Sequence, residues 1–350
     1  GRFPYGALAT PRSVDFNSDG LTDLVYSVNG LLTMLPNIGT KEQPRFDATA
    51  PIASIPWGNG QLGFNQLVDY NADGWPDLFA GLSWINLNSG RGAPGLFEQT
   101  IPLSGAEKIR HPSPRGDHWD YRTLADVDGD SDFDILLGDH PGYVWFHRND
   151  GTIDQPRINV EGEKLMLKDG KPLQVGLPPS DVAPFDVLQG ARTAVASGDF
   201  NRDGKTDVVA CDTYGYLRVF EQAPGERPTF ELAVQIEKLE PTRVTAQRVD
   251  WNGDGWDDLI ASYANDRIYV LVNRAVAGKT AFEAAKLLDV PRCYGDPWPF
   301  VGDWNHDGDA DLIIDQYGYT RFVERSFIEH GYRPARIIRS EERPTVGAKQ

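Results

Sequence analysis

Asp199-Phe-Asn-Arg-Asp-Gly-Lys-Thr-Asp207, followed at once by Val208-Val-Ala210, is the stretch on which the fold turns. It carries carboxylate or amide side chains at positions 1, 3, 5 and 9 and a glycine at position 6. Five other segments align with it without a gap. They start at Asp15, Asp69, Asp126, Asp250 and Asp303, so consecutive starts lie 54, 57, 73, 51 and 53 residues apart. A period of roughly 40–55 residues with several strands in each unit is the sequence signature of propeller blades.

Working outward, each loop sits in the same context. A short apolar stretch precedes it, such as Val244 to Val249, and an aliphatic run follows it, such as Ile135-Leu-Leu137, Leu259-Ile-Ala261 or Leu312-Ile-Ile314. A turn and a third apolar run come next, as in Tyr143 to His147, and a Gly- or Pro-containing loop leads to a fourth, as in Phe230 to Val234. Four strands per repeat make one blade. No segment sustains a helical period. The chain is therefore expected to be all-β, one propeller domain over residues 1–350, with four-stranded blades. Six blades are expected, with seven left open because the interval from Asp126 to Asp199 holds about 20 extra residues. Within that insertion, around 160–190, Leu165 to Leu173 reads as a hairpin about Asp169-Gly170. Pro178, Pro179 and Pro184 make the connection stiff.

The loop chemistry suits a hard divalent cation, which takes six to eight oxygens at about 2.3–2.6 Å. The expected ligands are Asp15, Asn17, Asp19 and Asp23 in the first copy, and Asp69, Asn71, Asp73 and Asp77 in the second. They are Asp126, Asp128, Asp130 and Asp134 in the third, and Asp199, Asn201, Asp203 and Asp207 in the fourth. The last two copies supply Asp250, Asn252, Asp254 and Asp258, then Asp303, Asn305, Asp307 and Asp311. A backbone carbonyl at position 7 completes each set, and the third copy replaces the position-6 glycine with Ser131. An EF-hand needs a glutamate at position 12 between helices. Tyr26, Ala80, Leu137, Ala210, Ala261 and Ile314 stand there instead, which excludes it. Nineteen carboxylates occupy ligand positions, and without them the net charge of −17 would be about +2. Such clusters repel strongly without a counter-ion.

These loops resemble the FG-GAP/VCBS repeats of integrin α-type propellers and of many secreted bacterial proteins, the bacterial branch more closely. The resemblance implies about one structural Ca2+ per loop, pinning the turn between the first two strands of a blade, and a secreted, periplasmic or cell-surface location.

The net negative charge argues against nucleic acid and anionic membrane partners. No apolar run reaches the roughly 20 residues a membrane helix needs. The opening at Gly1 reads as a mature or trimmed chain. Cys211 and Cys293 are expected as buried thiols, with a disulfide left open.

Propeller ligands usually meet the mouth where inner-strand loops gather. The candidates there are Arg12, Trp57, Asn65, Gln66, Trp119, Arg248, Tyr294 and Trp298 for binding, and His118, Tyr121, Arg122, Arg192 and Arg243 for chemistry. Aromatic planes suit sugar rings, and arginine suits carboxylate or sulfate. The set points to acidic, uronate-type carbohydrate. A polysaccharide lyase or glycoside hydrolase would use arginine to offset the carboxylate and Tyr or His to move the proton. The alternatives are a non-catalytic glycan- or protein-binding module, or a purely architectural domain. Trp251, Trp256 and Trp304 are expected to wedge between blades.

Overall fold

The computed structural model describes residues 12–14, 21, 23–28, 31–41, 43–46, 53–56, 66–73, 77–80, 83–88, 97–110, 121–176, 191–275, 278–290, 298–303, 308–316, 319–323, 325 and 328. Its strands fall in six sheets. The first holds β1 (Arg12–Val14), β2 (Asp23–Val28), β3 (Leu31–Leu35) and β4 (Ala53–Pro56). The second holds β5 (Gln66–Val68), β6 (Asp77–Ala80), β7 (Trp84–Asn88) and β8 (Phe97–Pro102). The third holds β9 (Tyr121–Ala125), β10 (Asp134–Gly138), β11 (Val144–His147) and β12 (Glu163–Lys164). The short β13 (Met166–Leu167) then joins the fourth, made of β14 (Ala194–Gly198), β15 (Asp207–Cys211), β16 (Leu217–Ala223) and β17 (Thr229–Gln235). The fifth holds β18 (Val244–Val249), β19 (Asp258–Tyr263), β20 (Arg267–Leu271) and β21 (Lys286–Leu287). The sixth holds β22 (Trp298–Gly302), β23 (Asp311–Gln316) and β24 (Tyr319–Val323). Among the described residues, helix is limited to a 3-10 turn at Ala106–Lys108 and to helical positions at Arg325 and Ile328.

Apart from the added β13, each sheet is an antiparallel meander, and each acidic loop joins its first two strands. Position 9 of the loop opens the second strand in every sheet. In the fifth, for example, Asp258 pairs with Val249 and the register runs to Tyr263 against Val244. The strands β9, β10, β15 and β19 are buried at essentially every residue. That is why β10, β15 and β19 read as aliphatic runs and not as alternation: both faces are covered. Outer strands such as β17 are largely exposed, Leu232 included.

What covers them is the next sheet. Val68, Phe79 and Ile85 of the second sheet pack with Leu124, Ile135 and Leu137 of the third. Leu136 and Phe146 pack with Val208 and Phe220 of the fourth. Val209 and Val219 meet Leu259 and Ala261, and Ile260 and Val270 meet Leu312 and Ile314. The first strands touch in the order β5, β9, β14, β18 and β22, and β22 returns to β5. The first sheet meets its neighbours through β2 against β24 and β4 against β8.

The insertion after the third sheet is the expected hairpin. Leu167 N–H donates to the Lys171 carbonyl (2.8 Å) and Gly170 N–H to Leu167 (2.9 Å). It builds no further sheet. Its strand β13 pairs in parallel with β17, so it covers the outer edge of the fourth sheet. Exposed edges invite strand addition from other chains, and this one is closed. Pro178, Pro179 and Pro184 lie outside the described residues. Cys211 is a buried free thiol in β15, and Cys293 lies outside the described residues.

Candidate functional site

The acidic loops are built by their own side chains. In the second loop the Asp73 N–H is held by Asp69 Oδ1 (3.0 Å) and Asn71 Oδ1 (3.1 Å). Asp203 N–H is held likewise by Asp199 and Asn201, and Asp254 N–H by Asp250 and Asn252. The oxygens of positions 1 and 3 thus converge on one point in each of these three copies. In the third loop, oxygens of Asp126, Asp128 and Asp130 lie within 4.8 Å of one another. Burial and the neighbouring Asp130 raise the Asp128 carboxyl above its ordinary value, and burial pushes Asp134 up to about 7. Uncompensated negative charge in a partly buried loop is what a divalent cation neutralises, so the donor set fits a hard cation.

Two backbone positions in the loop are left-handed. At position 4, φ is 56° for Ala72 and 57° for Arg202; at position 6 it is 74° for Ser131. The glycine pattern announces position 6. Position 4 has no consistent residue type, so the sequence gives no sign of it. A side chain in this region costs about 1–2 kcal/mol, against about 0.5–1 kcal/mol of extra chain entropy for glycine. Ser131→Gly is therefore expected to raise stability by about 0.5–1 kcal/mol, read as a higher urea midpoint. A lower midpoint would mean that the serine side chain does work in the loop.

Position 9 plays a different part from the other ligands. Asp77, Asp134, Asp207, Asp258 and Asp311 are fully buried. One oxygen of Asp134 accepts the Val127 N–H (3.0 Å) and the other the Asn149 N–H (2.8 Å). Asp207 holds Phe200 and Gln222, and Asp258 holds Trp251 and Asn273. The residue at the end of the third strand is thus part of the loop, and the sequence reading missed it. Asn37, Asn149 and Asn273 follow their position-9 aspartates by 14 or 15 residues, each two residues before Gly or Ala. That recurrence was the available signal.

At the opposite ends of the inner strands, Arg192 and Arg243 stand just before β14 and β18, near enough to Tyr121 for their charges to act on its phenol. Tyr121 opens β9 and is buried. Burial raises its phenol pKa, while Arg243 and then Arg192 act on it in the opposite direction. The raised value keeps the phenol protonated at neutral pH, so it can donate a hydrogen bond but is a poor base. Arg122 is on the other side. Successive strand residues face opposite ways, and its guanidinium donates to the carbonyls of Ala106 (2.8 Å) and Ile109 (3.3 Å). Gln66 and Arg248 are also separated from this group. Both line a cavity of about 350 Å³ at the acidic-loop mouth, beside Asp69, Asp126 and Asp199. Arg243 and Arg248 bracket the length of β18, so they cannot meet one ligand group. The cations at that cavity are engaged, Lys205 with Asp203 (3.0 Å) and Arg248 with Asp257 (3.5 Å).

Trp57, Asn65, His118, Trp119 and Tyr294 lie outside the described residues, as do Asp15, Asn17, Asp19, Asn305 and Asp307. Arg12, Asp23 and Trp298 are placed as strand residues, and their side chains lie outside the description. Trp251 is buried against the sixth sheet with the Arg325 guanidinium 3.8 Å from its ring centre, and Trp256 carries Arg202 at 3.9 Å. Trp304 lies outside the described residues.

Face-packed antiparallel meanders, each with an acidic loop between its first two strands, define a repeat protein of the β-propeller class. Residues 250–314 match the family model described as FG-GAP-like repeat, a stretch running from the fifth acidic loop to the second strand of the sixth sheet. No curated protein matches the chain. Among solved structures, it is similar to an Agrocybe aegerita lectin described for specific recognition of non-reducing terminal N-acetylglucosamine. That similarity has 19% identity and a TM-score of 0.43, over 91% of this chain and 81% of that one. It is also similar to BBS1N in complex with ARL6DN, at 13% identity and TM-score 0.39, over 90% and 92% of the two chains. What those proteins bind is a property of those proteins. No helix among the described residues is long and apolar enough to cross a membrane.

Proposed function

We propose that the protein is a six-bladed, calcium-stabilised propeller that binds acidic carbohydrate at the mouth where its inner strands begin. The observation that carries this reading is that Arg192 and Arg243, each just before an inner strand, both act electrostatically on the buried Tyr121 phenol. Two guanidinium groups beside a hydrogen-bond donor suit a carboxylate or sulfate, which arginine recognises through paired N–H groups. Six sheets, each built around one acidic loop, support six blades. Calcium at extracellular concentrations fills even weak oxygen sites, which suits a secreted, periplasmic or cell-surface protein.

Binding is favoured over catalysis. Proton abstraction next to a uronate needs a base, and among the described residues of this mouth the buried Tyr121 phenol, kept protonated by its raised pKa, does not supply one. Arg122, turned to the Ala106 and Ile109 carbonyls, is not at this mouth.

Calorimetric titration with uronate oligosaccharides in calcium is the test. Binding is expected for uronates and not for neutral glucans. Arg192→Ala and Arg243→Ala are each expected to weaken it about 10-fold or more, as for other charge-assisted hydrogen bonds. Equal affinity for neutral glucans, or unchanged affinity in both variants, would overturn the reading. Accumulation of unsaturated product absorbance would convert it to a lyase.

A further inference from the structure

The acidic loops are joined to one another, and the joints repeat. In each of three successive sheets, the side chain at the end of the third strand reaches back to the position-2 carbonyl of the preceding loop. Gln222 Nε2 donates to the Val127 carbonyl (3.2 Å) and Asn273 Nδ2 to the Phe200 carbonyl (2.8 Å). Arg325 Nη1 donates to the Trp251 carbonyl and stacks on the Trp251 ring.

The same three residues are held through their backbone N–H groups by the position-9 aspartates of their own sheets, Asp207, Asp258 and Asp311. Two of those aspartates also hold the position-2 N–H of their own loops, at Phe200 (3.0 Å) and Trp251 (2.9 Å). A continuous path of hydrogen bonds results. It runs from Asp134 through Val127 to Gln222 and Asp207, through Phe200 to Asn273 and Asp258, and through Trp251 to Arg325 and Asp311. The carboxylates along it are fully buried.

Position 2 lies between the ligand side chains of positions 1 and 3. Residues that hold a cation there also fix the peptide on which the next sheet is seated. We propose that this path couples cation loading of each loop to docking of the following blade, so that loops three to six load cooperatively. This goes beyond the carbohydrate reading and does not depend on it.

Gln222→Met is the test variant. Among the described residues its side chain makes one hydrogen bond, to the Val127 carbonyl. The readout is hydrogen exchange of segment 121–138, in the third sheet, as calcium chloride is titrated into the intact protein. Losing one hydrogen bond is expected to raise the calcium midpoint for that segment about 2–10-fold. The calcium-induced rise in melting temperature should shrink with it. An unchanged midpoint, with melting lowered equally in calcium and in EGTA, would make Gln222 merely structural and overturn the proposal. If the variant does not fold, wild-type protein decides. On partial calcium removal, protection in loop 126–134 and in β16 of the next sheet is expected to fall together. Loss in the loop with β16 still protected would overturn it.

Discussion

Asp258→Ala is expected to lower the unfolding free energy by about 3–5 kcal/mol, because a removed buried carboxylate strands the groups it paired with. Both of its oxygens are in use, one on the Trp251 N–H (2.9 Å) and one on the Asn273 N–H (2.7 Å). Neither donor has water to turn to, since the carboxylate is fully buried. An unpaired buried donor costs about 1–3 kcal/mol, and two are created at once. Asp258→Asn should recover only part of the loss, because its amide presents one oxygen and one NH2 to two donors. Asp169→Ala, on an exposed hairpin turn, is the control and should change stability by less than about 0.5 kcal/mol. Urea unfolding followed by tryptophan fluorescence measures all three. A loss below about 1 kcal/mol at Asp258 would show that the position-9 carboxylate is not the hub of its loop.

Excess EGTA is expected to have the larger effect. Ions that bind only the folded chain stabilise it by mass action, about 2.7 kcal/mol per site at 100 times the dissociation constant. Six such sites amount to roughly 16 kcal/mol, and for a domain of this size the melting temperature should fall on the order of 20 °C. Scanning calorimetry with calcium, with EGTA, and with magnesium restored after EGTA separates the ion from ionic strength. An unchanged melting curve in EGTA would remove calcium from the account of the fold. Magnesium should restore little, since it demands tighter octahedral geometry and gives up its waters reluctantly.

Much of this was legible in the sequence. A loop whose ligands all fall within nine residues is a local object, and local objects leave local patterns. The strands flanking it were legible too, because β10, β15 and β19 are buried on both faces and so read as unbroken aliphatic runs. The hairpin at Leu165 to Leu173 was legible as a unit, but its destination was not. That β13 adds to the far edge of the fourth sheet depends on where the fourth strand of that sheet lies. The candidate mouth was legible only in part. Tyr121 and Arg122 are neighbours in sequence and were placed together, but the alternation of a strand sends one to Arg192 and Arg243 and the other to Ala106 and Ile109.

By itself the sequence determined the repeat, the strand order within each unit, and the recurrence of acidic ligand positions in six loops. Each follows from contacts between residues close in the chain. Only the tertiary structure decided how the loops are joined. Gln222 and Val127 are 95 residues apart, Asn273 and Phe200 73, and Arg325 and Trp251 74. A hydrogen bond across that separation exists only once neighbouring sheets have packed face to face. The residue types it uses, an amide or a guanidinium at a strand end, are common enough to carry no message on their own.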